Sequence, residues 1–317
     1  MGTPDFAVAT LRALVENDYN VVAVVTQPDK PVGRHGSVVQ PSDVKRYATE
    51  HNIPVLQPEK MKDPEFVETL KEYDANLQIV VAFRMLPEVV WAMPEYGTFN
   101  VHAALLPQYR GAAPINWAII NGETQTGITT FFLDKDIDTG RIIIQKPLTI
   151  AHDDDVETVY NGLMNLGADV CMATLDKIIA ADGHPESISQ DQLITTGQEI
   201  HNAPKIFKET CRIDWNQPSE KVYNFIRGLS PYPGARTMLV SEEGTETVLK
   251  IFRTETSDKK ELTADPGTIV VYGKSFGVVT ASNEVLIIKD LQLAGKKRMN
   301  VVDFLNGMKN IEDYHVK

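Results

Sequence analysis

Residues 97–134, GTFNVHAALLPQYRGAAPINWAIINGETQTGITTFFLD, alternate between strand and helix patterns. GTFNVHA (97–103) and GITTFFLD (127–134) are short and apolar, as buried strands are, whereas APINWAIING (113–122) has apolar residues at helical spacing. The same alternation runs through the preceding residues, with strand patterns at 21–27 and 77–83 and helix patterns at 6–17, 41–52, 64–73 and 87–93. This alternation predicts an α/β domain with a Rossmann-like, mainly parallel sheet.

The chain changes character after a long amphipathic helix predicted at 156–181. Asp154 and Glu157 have the spacing of a capping box, and Gly183 stands where a helix ends. The polar segment 184–204 is predicted to be a linker. Beyond it, short β-rich runs separated by glycine and charged turns predict a small barrel or sandwich at 205–317.

The N-terminus begins at an unusual point for such a domain. MGTPDF (1–6) has the glycine and capped helix start of a strand-to-helix turn, with no strand before it. We expect that the first strand is missing at this end, through truncation or a misplaced start. The alternative is a fold that begins with a helix.

Composition indicates a globular protein that works in a reduced, cytoplasmic setting. The chain has 317 residues, 43% hydrophobic and 23% charged, without an apolar run long enough to span a membrane. Cys171 and Cys211 are the only cysteines and have no CxxC spacing, so both are predicted to be core residues. The formal net charge is −12, yet residues 205–317 carry 17 Lys and Arg against 15 Asp and Glu. An anionic partner is therefore expected to meet mainly this last part.

Asn100 and His102 interrupt the apolar strand at 97–103. Alternate residues of a strand share a face, so the two side chains are predicted to lie side by side at its carboxyl end, where open parallel sheets bind ligands. An amide that stabilises a developing oxyanion and an imidazole that transfers protons are what carbonyl chemistry requires. The alternative is a structural histidine at a strand end.

DKDIDTG (134–140) follows the next strand and offers Asp134, Asp136 and Asp138. One of these carboxylates could orient His102 and stabilise its protonated form, but spacing does not select which one. Three aspartates also occur in charged turns and in cation sites. Because no HxxxH, CxxC or EF-hand spacing accompanies them, no metal is predicted. The chain also lacks the GxGxxG, P-loop and GxSxG motifs of dinucleotide sites, nucleotide sites and α/β-hydrolases.

Seven motifs occur together in one order along the chain. They are GTPDFAV (2–8), TQPDKPVGR (26–34), FNVHAALLPQYRGAAPI (99–115), DKDIDTG (134–140), RIDW (212–215), PYPGA (231–235) and GKKRM (295–299). With them the chain resembles the folate-dependent formyltransferases, from residue 2 to about residue 307. GKKRMNVVDFLNG (295–307) indicates the tRNA-modifying branch of that family.

The resemblance implies an enzyme that transfers a formyl group from 10-formyltetrahydrofolate to the α-amino group of initiator methionyl-tRNA. The family's catalytic residues correspond to Asn100, His102 and Asp138. Its folate-binding stretch corresponds to residues 104–107, where alanine replaces the family's serine. The expected folate-site residues are Ala104, Leu105, Leu106 and Pro107, with Val81 and Phe83 from the apolar segment before them.

The resemblance also implies how the chain divides and what it binds. It predicts a catalytic domain at 1–183, a linker at 184–204 and an OB-like β-barrel that binds tRNA at 205–317. The expected tRNA contacts are Lys30 and Arg34 in an early loop, and Lys296, Lys297 and Arg298 in the barrel. A monomer without a membrane partner is implied. The alternatives are a formyltransferase that acts on an amino-sugar nucleotide and a non-catalytic RNA-binding protein.

Overall fold

The computed structural model describes residues 1–32, 38–260, 263–308 and 310–317, which form two compact units. The first unit consists of Met1–Gly111, Thr126–Thr149 and Tyr160–Asn202, and the second of Ala112–Gln125, Ile150–Val159 and Ala203–Lys317. The helices are α1 (Asp5–Glu16), α2 (Asp43–Glu50), α3 (Pro64–Glu72), α4 (Glu88–Trp91), α5 (Pro114–Ile120), α6 (Val156–Ala180), α7 (Ser219–Arg227) and α8 (Val301–Gly307). The strands are β1 (Val24–Val25), β2 (Lys30–Val32), β3 (Val38–Gln40), β4 (Val55–Leu56), β5 (Gln78–Val81), β6 (Thr98–His102), β7 (Arg110–Gly111), β8 (Gln125–Phe132), β9 (Ile142–Thr149), β10 (Asn202–Ala203), β11 (Ala235–Val240), β12 (Glu246–Glu255), β13 (Ile269–Tyr272), β14 (Ser275–Val279), β15 (Val285–Leu293), β16 (Met299–Asn300) and β17 (His315–Val316).

The sheet of the first unit has the order β5-β6-β8-β9. β5 and β6 run parallel, as predicted, whereas β8 is antiparallel to β6. β1 pairs in parallel with β4 over two residues, so the strand predicted at 21–27 is shorter than its apolar run. The ladder is short because the partner strand itself contains only Val55 and Leu56. These pairings confirm the α/β class with a mainly parallel, Rossmann-like sheet.

Met1 and Gly2 extend along the edge of β5. The Met1 amine donates a hydrogen bond to the Ile79 carbonyl (2.6 Å), and Gly2 forms a parallel bridge with Val81. The Gly2 N–H also donates to the carbonyl of Val25 (3.0 Å), so these two residues connect β5 to β1. A β-carbon on Gly2 would lie 2.4 Å from that of Ala7, which explains why glycine stands at this turn.

The structure corrects the predicted cap of α6. The helix begins at Val156, so the capping position belongs to Asp155 rather than Asp154. Asp155 Oδ1 accepts hydrogen bonds from the backbone N–H (3.0 Å) and the hydroxyl (3.1 Å) of Thr158. Asp154 instead accepts from the backbone N–H of Ala151 in the preceding turn (2.8 Å).

Gly183 lies in the turn that closes α6, directly after Asp182, whose φ of +48° is also left-handed. The φ of Gly183 is +82°, and its N–H donates to the carbonyl of Ile178 (2.9 Å). A β-carbon here would approach the Tyr96 ring to 2.2 Å, so both conformation and space require glycine. Among the helices of the described residues, none is long and apolar enough to cross a membrane.

The second unit contains a closed antiparallel sheet together with α5, α7 and α8. Its strands follow the order β13-β14-β15-β12-β11-β17, with β16 also paired to β15. Thr268, just before β13, forms an antiparallel bridge with His315 of β17, which joins the two ends of this order. Buried side chains including Trp215, Phe276 and Phe304 fill the interior. The arrangement matches the predicted small barrel.

Candidate active site

β6 presents two polar side chains on one face of the sheet. Asn100 lies opposite Val80 of β5 and Phe131 of β8, and His102 lies opposite Thr129. Paired residues share a face, so all five side chains are on the same side. The His102 ring meets the Phe131 ring at a steep angle, with 6.3 Å between centroids. The predicted side-by-side arrangement of amide and imidazole is therefore present.

His102 is held by the loop that follows β6. Its Nε2 atom lies 2.9 Å from the carbonyl oxygen of Tyr109, and its side chain is only 6% exposed. Because a carbonyl can only accept, Nε2 carries the hydrogen in this arrangement. Tyr109 has a φ of +60°, which is uncommon for a residue with a side chain. The loop thus turns back over β6 and leaves Nδ1 facing the opposite direction.

Asp138 faces this second ring nitrogen. Its Oδ2 atom lies 3.9 Å from His102 Nδ1 and accepts a hydrogen bond from the Gly111 N–H (2.9 Å). Asp138 itself has a φ of +55°. Two residues later, a β-carbon on Gly140 would lie 1.6 Å from the carbonyl oxygen of Phe132. Glycine is therefore required for this turn to lie against the end of β8.

The other two aspartates of this turn have different surroundings. Asp134 Oδ1 accepts hydrogen bonds from the Asp136 N–H (3.1 Å) and the Thr139 hydroxyl (2.7 Å). Asp136 is exposed. Of the three carboxylates left open by spacing, Asp138 is the one beside His102. No group of three or more His, Cys, Asp or Glu side chains in the described part of the chain is arranged to hold a metal ion.

The segment 104–107 is fixed by two polar side chains of the sheet. The buried Thr129 hydroxyl donates to the Ala104 carbonyl (2.6 Å) and accepts from the Leu106 N–H (3.1 Å). The Gln145 amide donates to the Leu106 carbonyl (2.6 Å) and to the Thr129 hydroxyl (3.0 Å). Ala104 is fully buried and Leu105 is half-buried. The backbone of this segment therefore keeps its anchors with alanine in place of the family's serine.

The two remaining predicted folate-site residues take different positions. Val81 is paired with Val101, so its side chain lies on the sheet face opposite Asn100 and His102. The structure therefore does not bring Val81 together with the polar pair. Val80, its neighbour, occupies the shared face instead. Phe83 is half-buried and packs against the apolar cluster that contains Val80.

The Asn100 amide has an unused hydrogen-bonding atom. Its Oδ1 atom is buried, and no group among the described residues bonds to it. A buried polar atom without a partner is costly, and such atoms are common where a ligand supplies the missing bond. The amide lies on the face of His102, and the apolar side chains of Val80 and Phe131 share that face. These residues fit a flat, partly polar co-substrate that offers an N–H or O–H group to Oδ1 and a carbonyl to the NH₂ group of the same amide.

Sequence reasoning missed Gln190, which lies in the segment predicted to be a linker. This side chain is 2% exposed and donates to the backbone carbonyls of Asp138 and Gly140, both at 2.9 Å. Its oxygen accepts two hydrogen bonds from Arg110, at 2.9 and 2.6 Å. The backbone beside it is held by two hydrogen bonds between Ile188 and Ile142. Polar, irregular sequence around Gln190 gave no signal of this burial.

The predicted tRNA contacts of the first unit lie in and beside the β2–β3 hairpin. Lys30 is exposed in β2, and Arg34 lies outside the described residues. A nearby network anchors the start of this hairpin: Lys45 donates to Asp29 (2.6 Å) and to Gln57 (2.8 Å). Hydrogen bonds from Lys45 and Gln57 hold the pKa of Asp29 below its usual value. Lys45 is therefore engaged within the protein.

The predicted basic cluster of the second unit separates into two kinds of side chain. Lys296 and Lys297 are exposed in the turn between β15 and β16. Arg298 is 44% exposed, forms an ion pair with Asp290 (3.4 Å) and covers the Phe252 ring at 4.6 Å from its centroid. The two lysines are thus available to a partner, whereas the arginine is partly used in packing.

Family models match both parts of the chain. A formyl transferase model matches residues 1–175, and a formyl transferase C-terminal domain model matches residues 205–309. Among solved structures, the sugar 3N-formyl transferase WlaRD, determined with dTDP and 5-N-formyl-THF, has a TM-score of 0.62. The match covers 93% of this chain and 97% of that one at 18% identity, so it shows a shared fold alone.

Curated relatives are much closer in sequence. The methionyl-tRNA formyltransferase of Parabacteroides distasonis is 58% identical over 316 residues, which cover 100% of this chain and 97% of the relative. The enzyme of the same name from Bacteroides fragilis is 56% identical over 317 residues, covering 100% and 96%. Since this similarity extends over the full length, the chain belongs to the methionyl-tRNA formyltransferase family.

Proposed function

We propose that this chain transfers the formyl group of 10-formyltetrahydrofolate to the α-amino group of initiator methionyl-tRNA, for translation initiation. One observation carries the proposal. In a chain 58% identical to a methionyl-tRNA formyltransferase over its length, a buried histidine lies between a carbonyl and the Asp138 carboxylate, on the same face as Asn100. This is the arrangement that attack of an amine on a formyl carbon requires.

Each of the three residues has a distinct proposed role. Asn100 would donate a hydrogen bond to the formyl oxygen as negative charge develops there. His102 would accept the proton that the attacking amine loses at Nδ1, the ring nitrogen that the Tyr109 carbonyl leaves free, and deliver it from there to the nitrogen that leaves, directly or through water. Asp138 would hold the ring in position and stabilise its charged form, and the Tyr109 carbonyl would fix its orientation at Nε2.

10-Formyltetrahydrofolate supplies the formyl group as co-substrate. We propose that residues 104–107 hold it, because Thr129 and Gln145 fix the backbone of this segment at the carboxyl end of β6. Phe83 would provide an apolar contact, and Asn100 would provide a polar one. Val81 has no side-chain role in this proposal, since it lies on the other face.

The tRNA is proposed to contact both units through exposed cations. Lys30 and, outside the described residues, Arg34 would meet it from the first unit. Lys296 and Lys297 would contact phosphates from the second unit, where Arg298 contributes through its exposed fraction. Because aminoacylated tRNA is the acceptor, the reaction is proposed to take place in the cytoplasm. We also propose that the enzyme acts as a monomer.

The activity is tested by offering the purified chain both kinds of acceptor. With 10-formyltetrahydrofolate, we expect formylation of charged initiator tRNA and no transfer to an amino-sugar nucleotide. His102→Ala should lower kcat by about 10²- to 10⁴-fold, the usual contribution of a general acid–base group. His184→Ala, which changes an exposed histidine, should leave kcat unchanged.

Three outcomes would count against the proposal. Transfer to the sugar nucleotide alone would favour the amino-sugar enzymes. Full activity of His102→Ala would contradict the catalytic assignment. Binding of tRNA by the wild-type chain without any formyl transfer would favour a non-catalytic RNA-binding protein.

A further inference from the structure

We infer that Gln190 is a positioning residue for the formyl transfer, a role that rests on the proposed function of Asp138 and His102. Gln190 joins the two loops that hold His102. On one side it binds the turn that carries Asp138, and on the other it binds Arg110, which lies between Tyr109 and Gly111. A single buried side chain thus controls where both partners of the histidine lie.

Hydrogen bonds, the peptide link from Tyr109 to Arg110 and one charge contact together form a closed circuit. The His102 ring bonds to the Tyr109 carbonyl, Arg110 bonds to Gln190, and Gln190 bonds to the Asp138 backbone. The Asp138 carboxylate then lies 3.9 Å from the other side of the His102 ring. Movement of Gln190 would therefore shift both loops relative to the imidazole.

The chemistry of the circuit requires an amide. Arg110 can only donate and the two carbonyls can only accept, so the orientation of the Gln190 amide is determined by its partners. Its Nε2 supplies both hydrogens to the Asp138 and Gly140 carbonyls, and its oxygen receives Arg110. A glutamate in this place would still accept the hydrogen bonds from Arg110, but it would place a carboxylate oxygen against the two carbonyl oxygens.

Asp138 needs such support because of its backbone. Its φ of +55° lies in the left-handed region, which costs free energy for a residue with a side chain and persists where surrounding contacts hold it. Gln190 bonds to the carbonyl of Asp138 itself, and the Gly111 N–H holds its carboxylate. Without Gln190, we expect the turn to relax and the carboxylate to leave its place beside His102.

The decisive variant is Gln190→Glu, measured as kcat and KM for formylation of charged initiator tRNA. We expect kcat to fall by about 10- to 100-fold, since a displacement near 1 Å can cost that much. KM for both substrates should stay within about twofold, because the side chain acts through Asp138 rather than on a substrate. Gln192→Glu makes the same change at an exposed position of the same segment and should be neutral.

A double-mutant cycle separates positioning from general structural damage. In an Asp138→Asn background, Gln190→Glu should cost several-fold less than in the wild-type background, because the part of its effect that acts through the Asp138 charge is gone. An equal loss in both backgrounds would overturn the inference. A wild-type kcat in Gln190→Glu, together with a reduced kcat in Asp138→Asn, would also overturn the inference. An inactive wild type, or an unimpaired Asp138→Asn, would instead overturn the proposed function and this inference with it.

Arg110→Ala tests the circuit from its other side, should Gln190→Glu not fold. It removes both donors to the Gln190 oxygen and leaves the buried amide in place. We expect kcat to fall about 5- to 10-fold, with a smaller loss in the Asp138→Asn background. Unchanged kcat in Arg110→Ala would overturn the circuit.

Discussion

His102 Nδ1 lies 3.9 Å from Oδ2 of Asp138, and this same oxygen accepts a hydrogen bond from the Gly111 N–H. The separation exceeds that of a hydrogen bond, so the two side chains interact here through charge and orientation. Catalytic hydrogen bonds are often long before substrate binds and shorten in the reacting complex. The Gly111 N–H therefore keeps the carboxylate within reach of the ring.

Asp138→Asn should lower kcat for formylation by about 10²-fold or more, with KM nearly unchanged. The amide preserves the shape of the side chain, but it removes the charge that stabilises the protonated ring. Its NH₂ group could also face the Gly111 N–H, which can only donate. Single-turnover rates with charged initiator tRNA measure the effect.

The matched control is Asp136→Asn, which makes the same change two residues away on an exposed side chain. We expect wild-type kcat for this variant. Equal losses in Asp136→Asn and Asp138→Asn would show that the charge of the turn matters rather than the position of one carboxylate.

Much of the fold follows from hydrophobic periodicity. The helix predicted at 156–181 is α6 (Val156–Ala180), because apolar residues recur on one face and the left-handed Asp182 and Gly183 follow it. Periodicity does not reveal how long a partner strand is, and β1 is therefore shorter than its apolar run. The capping residue also depends on where the helix begins. Because α6 begins one residue later than the predicted cap implies, Asp155 caps it instead of Asp154.

The sequence predicts the part of the site that lies on a single strand. Asn100 and His102 share a face because of the strand period alone. Val81 pairs with Val101 rather than with Asn100, so its side chain lies on the other face of the sheet. The sequence alone does not give the register between β5 and β6, and therefore does not give this face. Gln190 comes from a polar segment far along the chain, so only tertiary structure reveals that it is buried beside Asp138.

Thr129→Val should destabilise the folded protein and weaken folate binding. The Thr129 hydroxyl joins the Ala104 carbonyl to the Leu106 N–H, and valine would leave both buried groups without this partner. Leaving a buried polar group unsatisfied costs about 1–3 kcal/mol of the free energy of unfolding. We expect a lower Tm in thermal denaturation and a KM for 10-formyltetrahydrofolate raised several-fold.

Thr126→Val is the control on the same strand. The Thr126 hydroxyl is buried and has no hydrogen-bond partner among the described residues, so replacing it with a methyl group should be neutral or slightly stabilising. Equal destabilisation by the two substitutions would indicate that loss of a hydroxyl, rather than of the loop anchor, causes the effect.

Both cysteines should be unreactive in the native protein. Cys171 and Cys211 are fully buried, and burial raises the pKa of Cys171 to about 12 and that of Cys211 above its usual value. The reactive thiolate of Cys171 is therefore scarce even at pH 9, and burial keeps the reagent from both sulfur atoms. With Ellman's reagent, we expect negligible reaction of the native chain between pH 7 and 9, and two thiols per chain after denaturation.

Thr196→Cys provides an exposed thiol in the same protein. Its reaction rate should rise with pH as a thiol of ordinary pKa, about 8.5, ionises. Rapid reaction of a native cysteine at a similar rate would contradict the burial of these side chains.

Lys296→Ala and Lys297→Ala should weaken tRNA binding in a way that depends on salt. Both side chains are exposed, and removal of one phosphate interaction should reduce the slope of log K against log salt by about 0.7–0.9. Arg298→Ala should change this slope less, because its guanidinium already pairs with Asp290 and covers Phe252, but it should lower Tm. Binding titrations of each variant between 50 and 300 mM salt, roughly the range over which such interactions are screened, measure both effects. A slope that is unchanged without the two lysines and reduced without the arginine would reverse the assignment.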